Sequence, residues 1–223
     1  MTDKPALIVV SGVDGSGKTS IIEGVQAFLE SEGIDNRYIW LRYNHYLTKF
    51  LLAFCKFTGF TRYEHFEQSR VVYHDFHRSK IIAWAFVWLT WIDTFLASLL
   101  RVYIPRLFSK KAIICDRWAY DIMVDLEIDT RLDFSEGSFL HTLFKLILPD
   151  DAKCFVISRN LEATKGTRDE SVNDRNFPIR HQLYVRHEAD RDLNVIDNNG
   201  AINESIDQVL SQVELGVGKE SAR

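Results

Sequence analysis

"SGVDGSGKTS", residues 11–20, decides how the rest of the chain is read. Its spacing is Gly12-x-x-x-x-Gly17-Lys18-Thr19, the pattern of a phosphate-gripping loop. Glycines there let backbone N–H groups curl around phosphate oxygens, and a following helix adds partial positive charge at its N-terminus. The pattern carries weight only between a buried strand and a helix. Both flank it. "ALIVVS" (6–11) is a short apolar run, as a strand buried on both faces requires. From Lys18 to about Glu32, residues Ile21, Ile22, Val25, Phe28 and Leu29 share one helical face, and Gly33 suits the helix end. One residue resists: Asp14 is a carboxylate inside a loop built for anions.

The chain has 223 residues, 46% hydrophobic and 26% charged, enough for one well-buried domain over 1–223. A net charge of -4 argues against a nucleic-acid binder, which shows a basic excess. Three cysteines, Cys55, Cys115 and Cys154, are too few and odd in number for a disulfide framework. Cys115 and Cys154 lie in apolar runs and read as buried free thiols. "ALIVV" is too short for a signal-peptide core. These features lead to the expectation of a reducing, cytoplasmic protein. "IIAWAFVWLTWIDTFLASLL" (81–100) is long enough to span a bilayer. Asp93 near its middle would cost about 2.5–3.5 kcal/mol on insertion scales. A span would also part the motifs on either side, which look like one site. The expectation is a buried or subunit-facing helix and no membrane.

Further strands are expected at 36–42, 111–116, 152–158 and 193–197. Helices are expected at 46–58, 61–80, 119–128, 136–147, 177–191 and 203–214, and the long apolar helix should stop near Pro105. The tail, 216–223, should fray. Strands alternating with helices mean an α/β fold, a parallel sheet with right-handed crossovers. No repeat or linker divides it.

The loop implies ATP and Mg²⁺ as cofactors. Lys18 would reach the β/γ-phosphates and the Thr19 hydroxyl would hold Mg²⁺. The nucleotide-binding set is Gly12, Val13, Asp14, Gly15, Ser16, Gly17, Lys18, Thr19 and Ser20. "IICDRWAYD" puts Asp116 at the carboxyl end of a buried strand, where open α/β sheets bind ligands. Asp116 there can order Mg²⁺-bound waters, and Arg117 can bridge phosphates with its two-pronged guanidinium.

Together these pieces resemble the thymidylate kinase family of nucleoside monophosphate kinases. "GVDGSGKTS" is similar to the family's loop, which also carries an aspartate at the Asp14 position. "DRW" is similar to its Asp-Arg-aromatic motif, and "IPRLFSKKAIICDR" has its Ile-x-Pro-x-Leu helix end before the third strand. "RYIWLR" ends in Arg42, where the family has the arginine of Arg-Glu-Pro. The resemblance covers about 5–212. It implies a three-layer P-loop kinase fold: a five-stranded parallel sheet, helices on both faces, and a mobile arginine-rich lid at about 159–178. It also implies transfer of the ATP γ-phosphoryl to a small acceptor, Asp14 on the acceptor rim, Arg42 and Arg117 on the acceptor, and a homodimer packed through long apolar helices. The loop 195–201, "VIDNNGA", would lie against the adenine. Two departures concern the acceptor. "YNHY" replaces the Glu-Pro-Gly-Gly after Arg42, and "IDTF" (92–95) stands where the family has an acceptor-facing arginine. The acceptor therefore stays open between a nucleoside monophosphate and a nucleoside, sugar or lipid-linked group. A nucleotide-dependent adaptor docking through its apolar helix is the reading from another class.

The lid segment holds Arg159, Lys165, Arg168, Arg175 and Arg180. Lid arginines neutralise transition-state charge when ATP is bound, and Arg168 is the first catalytic candidate, with Arg175 next. A solvated, salt-bridged loop is the plainer alternative. On the acceptor side, Arg70 and Tyr73, with His74 and His77, stand where they can stack on a base or hold a phosphate. An amphipathic helix packed on the core explains them equally well. His74-x-x-His77 lacks a third ligand and reads as no metal site.

Overall fold

The structure is a computed structural model describing residues 5–66, 70–165 and 173–213. β1 (Leu7–Ser11) is buried along its whole length. Its side chains alternate between two cores, as a strand's two-residue period demands. Leu7 and Val9 join one cluster, and Ile8 and Val10 the other. β1 pairs in parallel with β5 (Ala112–Asp116) and β6 (Lys153–Ser158). β2 (Asn36–Trp40) adds to β5, and β7 (Leu193–Asp197) to β6. The order is β2-β5-β1-β6-β7, the expected five-stranded parallel sheet.

One face carries α1 (Lys18–Ser31) and α9 (Ile202–Gln212), packed through Ile21, Val25, Leu29 and Val209 on Ile8, Val10, Ile114 and Ile196. The other carries α3 (Lys80–Ser98), α5 (Ala119–Thr130), α6 (Phe139–Lys145) and α8 (Phe177–His187). Phe86, Val87, Met123, Phe144 and Tyr184 fill that second core. This is the three-layer P-loop type of fold. Cys115 and Cys154 are buried and free, as expected, and so is Cys55.

Two expectations need correction. The stretch 61–80 is not one helix. It is an antiparallel hairpin, β3 (Thr61–His65) against β4 (Arg70–His74), then a single 3₁₀ turn at Phe76–Arg78. The alternation in "RVVYH" decides it: Val71 and Tyr73 are buried while Arg70 and Val72 face out. Nor does the long helix stop at Pro105. A π turn over Leu99–Tyr103 loosens the hydrogen-bond ladder, and α4 (Ile104–Phe108) continues with the proline in its first turn. There the missing N–H is tolerated.

By length and composition, Lys80–Phe108 could cross a membrane. Its one acidic residue has another function. Asp93 is 1% exposed and caps α2 (Thr48–Phe57), accepting from the backbone N–H groups of Tyr46, Leu47 and Thr48. A carboxylate at a helix N-terminus meets unpaired donors and favourable dipole charge.

Candidate active site

The carboxyl ends of β1, β5 and β2 lie side by side, because Val10 and Trp40 are both in register with Asp116. The chain leaves β1 through Gly12, whose φ of +141° and close approach to the Ile157 carbonyl leave no room for a side chain. A Cβ there would sit 2.8 Å from that oxygen. The loop closes on Gly17, left-handed at φ +94°, which starts α1. Asn198, from the loop after β7, donates to the Ser16 carbonyl (2.7 Å), and Arg159 donates to that of Gly15 (3.1 Å). So Arg159, expected in the lid, and the 195–201 segment both reach the loop.

Lys18 is buried and donates to the Val13 carbonyl (2.7 Å). Burial, and then Arg117, pull its pKa down to about 7, against the opposing carboxylates of Asp14, Asp121 and Asp116. A buried ammonium so depressed favours an added anion, so the loop fits nucleotide phosphates. Val13 and Ser16 are buried; Thr19 and Ser20 lie exposed at the start of α1.

Asp116 ends β5. Its Oδ2 accepts from the Tyr38 hydroxyl (2.8 Å), while its Oδ1 is buried with no hydrogen-bond partner. Among the described residues no cluster of three or more His, Cys, Asp or Glu could cage a metal. One carboxylate plus one hydroxyl is the donor set Mg²⁺ accepts, since it keeps several waters and phosphate oxygens. Thr19 and Asp116 fit that ion.

Asp14 answers the puzzle of the acid in the loop. It is 31% exposed and sits between two arginines. Arg117 pairs with its Oδ1, and Arg42 Nη1 stands 3.7 Å from its Oδ2. Burial raises its pKa, but Arg117, Lys18, Arg42 and Arg180 outweigh burial and hold the carboxyl below its ordinary value. It is therefore ionised at neutral pH.

Arg117 also donates to Asp121 (2.9 Å), to the Gly12 carbonyl (3.2 Å) and to the Tyr184 hydroxyl (3.3 Å). Arg42 lays a two-pronged grip on Asp125 (2.7 and 2.8 Å), and Arg180 of α8 meets the same carboxylate. Arg117 and Tyr43 have left-handed backbones, φ 66° and 59°. Such non-glycine positions cost about 1–3 kcal/mol each and gather at functional sites.

Beside these charges opens a cavity of about 310 Å³, lined by Arg42, Asp125, Asp129, Arg180, His45 and His74 with an apolar wall that includes Phe86 and Leu126. The sequence reading missed Asp121, Asp125 and Asp129. Their spacing, i, i+4, i+8, was the available signal, because it puts all three along one side of α5. Burial, then the charge of Asp125, raises the pKa of Asp129 well above the usual carboxylate range. Burial, then His45, lowers that of His74 to about 4.

The other expected residues lie apart from this cavity. Arg70 stacks on the Tyr63 ring at the hairpin (4.4 Å). Tyr73 accepts from the Arg175 backbone (3.1 Å) while the Arg175 guanidinium covers its ring (4.0 Å). Tyr73, Arg175 and His77 line an adjoining opening of about 500 Å³, which shares His74 with the cavity, together with Arg62, Arg78 and Arg131. Lys165 ends the short helix α7 (Leu161–Lys165). Arg168 lies outside the described residues, as do the rest of 166–172 in the lid and the 216–223 tail.

A scan against protein-family models gives no match, and neither does a search of curated proteins.

Proposed function

We propose that this protein is an ATP- and Mg²⁺-dependent phosphotransferase of the P-loop kinase type, acting on a small acceptor held in the cavity over α5. One observation carries the reading. Asp14, inside a loop fitted for nucleotide phosphates, pairs with Arg117 and stands 3.7 Å from Arg42, which lines a cavity fitted for a second molecule. A nucleotide switch or adaptor has no use for that second cavity. In-line phosphoryl transfer needs donor and acceptor on opposite sides of the moving group, with positive charge around it.

Lys18 and the loop amides would bind the ATP phosphates, and Arg159 would hold the loop from the lid side. Thr19 and Asp116 would hold Mg²⁺, which supplies charge neutralisation on the phosphates. Arg117 touches the loop carbonyl of Gly12 and also Asp14, so it is set to follow charge as it moves between the two sites. Arg168 is proposed as a lid residue acting on the same charge.

α3 leaves Ile81 (83% exposed), Trp84, Trp88 and Phe95 on one outward stripe. We propose that a second copy covers this stripe. Light scattering giving twice the monomer mass would support it; a monomer at micromolar concentration would not.

Calorimetry with Mg-ATP tests the main reading. Wild type should bind, and Lys18→Ala should lose most of the affinity. Equal binding by both would refute it.

A further inference from the structure

We propose that the acceptor reacts through an uncharged hydroxyl on a nucleoside- or sugar-sized molecule, and not through the phosphate of a monophosphate. This rests on the phosphotransferase reading above.

The argument is a charge count. A phosphate acceptor brings negative charge next to Asp14 and needs positive charge left uncancelled there. Among the described residues three guanidiniums stand on the acceptor side: Arg42 and Arg180 line the cavity, and Arg117 pairs with Asp14. Three carboxylates meet them. Arg42 and Arg180 both bind Asp125, and Arg42 approaches Asp14. Arg117 spans Asp14 and Asp121. Asp121 is fully buried and held further by the Tyr184 hydroxyl (2.5 Å) and the Trp118 N–H (3.2 Å). The sum is zero, and the α5 backbone fixes two of the three acids. A phosphate would meet arginines whose charge is already cancelled, and displacing an aspartate to gain one would leave that acid without its partner.

The rest of the cavity adds no positive charge. His45 and His74 are neutral at pH 7, both depressed first by burial. Burial, then the Asp125 carboxylate, shifts Asp129 toward its protonated form, which offers a donor. The Thr90 hydroxyl on the wall is buried with no hydrogen-bond partner. Neutral donors and acceptors among Leu52, Phe86 and Leu126 match a ring bearing hydroxyls. The cavity's size, about 310 Å³, is at the low end of small-molecule sites, roughly 300–1,000 Å³.

The chemistry agrees. A hydroxyl acceptor carries a proton that must leave, and Asp14 is an ionised carboxylate on the rim. The hydroxyl oxygen forms the new bond to the γ-phosphorus. The bond from that phosphorus to the β–γ bridging oxygen breaks, and its electron pair leaves with ADP. The hydroxyl proton passes to Asp14 and then to water after product leaves.

The test is coupled ADP release from Mg-ATP with matched pairs: thymidine and its monophosphate, adenosine and its monophosphate, glucose and its 6-phosphate. At least one unphosphorylated member should raise the rate about tenfold or more over its phosphorylated partner, a difference worth about 1.4 kcal/mol. A monophosphate that outpaces its parent overturns the proposal. So does silence from all three unphosphorylated probes while calorimetry shows bound Mg-ATP. Loss of Mg-ATP binding itself is a different result and sinks the phosphotransferase reading instead. As a second arm, Asp125→Asn leaves Arg42 and Arg180 uncancelled. Thymidine monophosphate should then gain affinity relative to thymidine, by about fivefold or more. Equal changes for both probes, in a variant that unfolds like wild type, count against the charge argument.

Discussion

Replacing Asp93 by alanine should cost this protein a large part of its stability. The carboxylate accepts from the N–H of Tyr46 (2.9 Å), of Leu47 (2.8 and 3.0 Å) and of Thr48 (2.9 Å), and from the Thr48 hydroxyl. The N-cap position of α2 is Leu47, which has no side-chain oxygen, so Asp93 is the cap. A hydrogen bond to a charged group contributes about 1.5–3 kcal/mol, and a buried donor left unpaired costs about 1–3 kcal/mol. These terms do not add in full, because water entering the space recovers part of them. The expected loss for Asp93→Ala is about 3–5 kcal/mol, more than one such bond contributes and less than the sum of all of them. Asp93→Asn keeps one acceptor oxygen and should lose about 1–3 kcal/mol. Urea unfolding followed by tryptophan fluorescence gives both values, and cleavage by a protease within 44–60 should speed up. A shift under about 1 kcal/mol for Asp93→Ala would refute the reasoning, because only a cap of little weight could be lost so cheaply.

Gly12→Ala should abolish nucleotide binding and destabilise the fold by about 1–3 kcal/mol, since backbone atoms of Ile157 cannot move aside; unchanged calorimetry would contradict this. His74 and His187 both have folded pKa values lowered to about 4, chiefly by burial. The unfolded chain then takes up protons first, so stability should fall as pH drops from about 6.5 toward 4, by roughly 1–3 kcal/mol per histidine. His74→Gln should flatten that slope in urea titrations across pH, and an unaltered slope would clear His74 of the effect.

Much of the fold was legible because its signals are local. β1, β5 and β6 are short apolar runs, and the loop pattern sits between a strand and a helix whose apolar faces can be counted. The hairpin was misread although its alternation was present: "RVVYH" has the period of a strand, but the charges and aromatics of 61–80 spread over it mimic an amphipathic helix. Pro105 suggested a stop because a π turn cannot be seen in composition. The site was legible in part. Asp14, Lys18, Asp116 and Arg117 follow from motif and strand end. Arg180 on Asp125 and Asp93 on α2 join residues 55 and about 46 positions apart, so only the packed chain brings them together. Arg175, expected in the lid, serves the hairpin through Tyr73.

Asp14→Asn tests the central claim, that phosphoryl passes between two sites that meet at this residue. Mg-ATP affinity by calorimetry and acceptor-stimulated ADP release should be measured on the same preparation. The account predicts ATP affinity within about threefold of wild type and turnover reduced about 10²-fold or more, the weight of a positioned proton acceptor. ATP affinity that collapses while turnover per bound ATP survives would contradict it, and Asp14 would then be a brace for the loop.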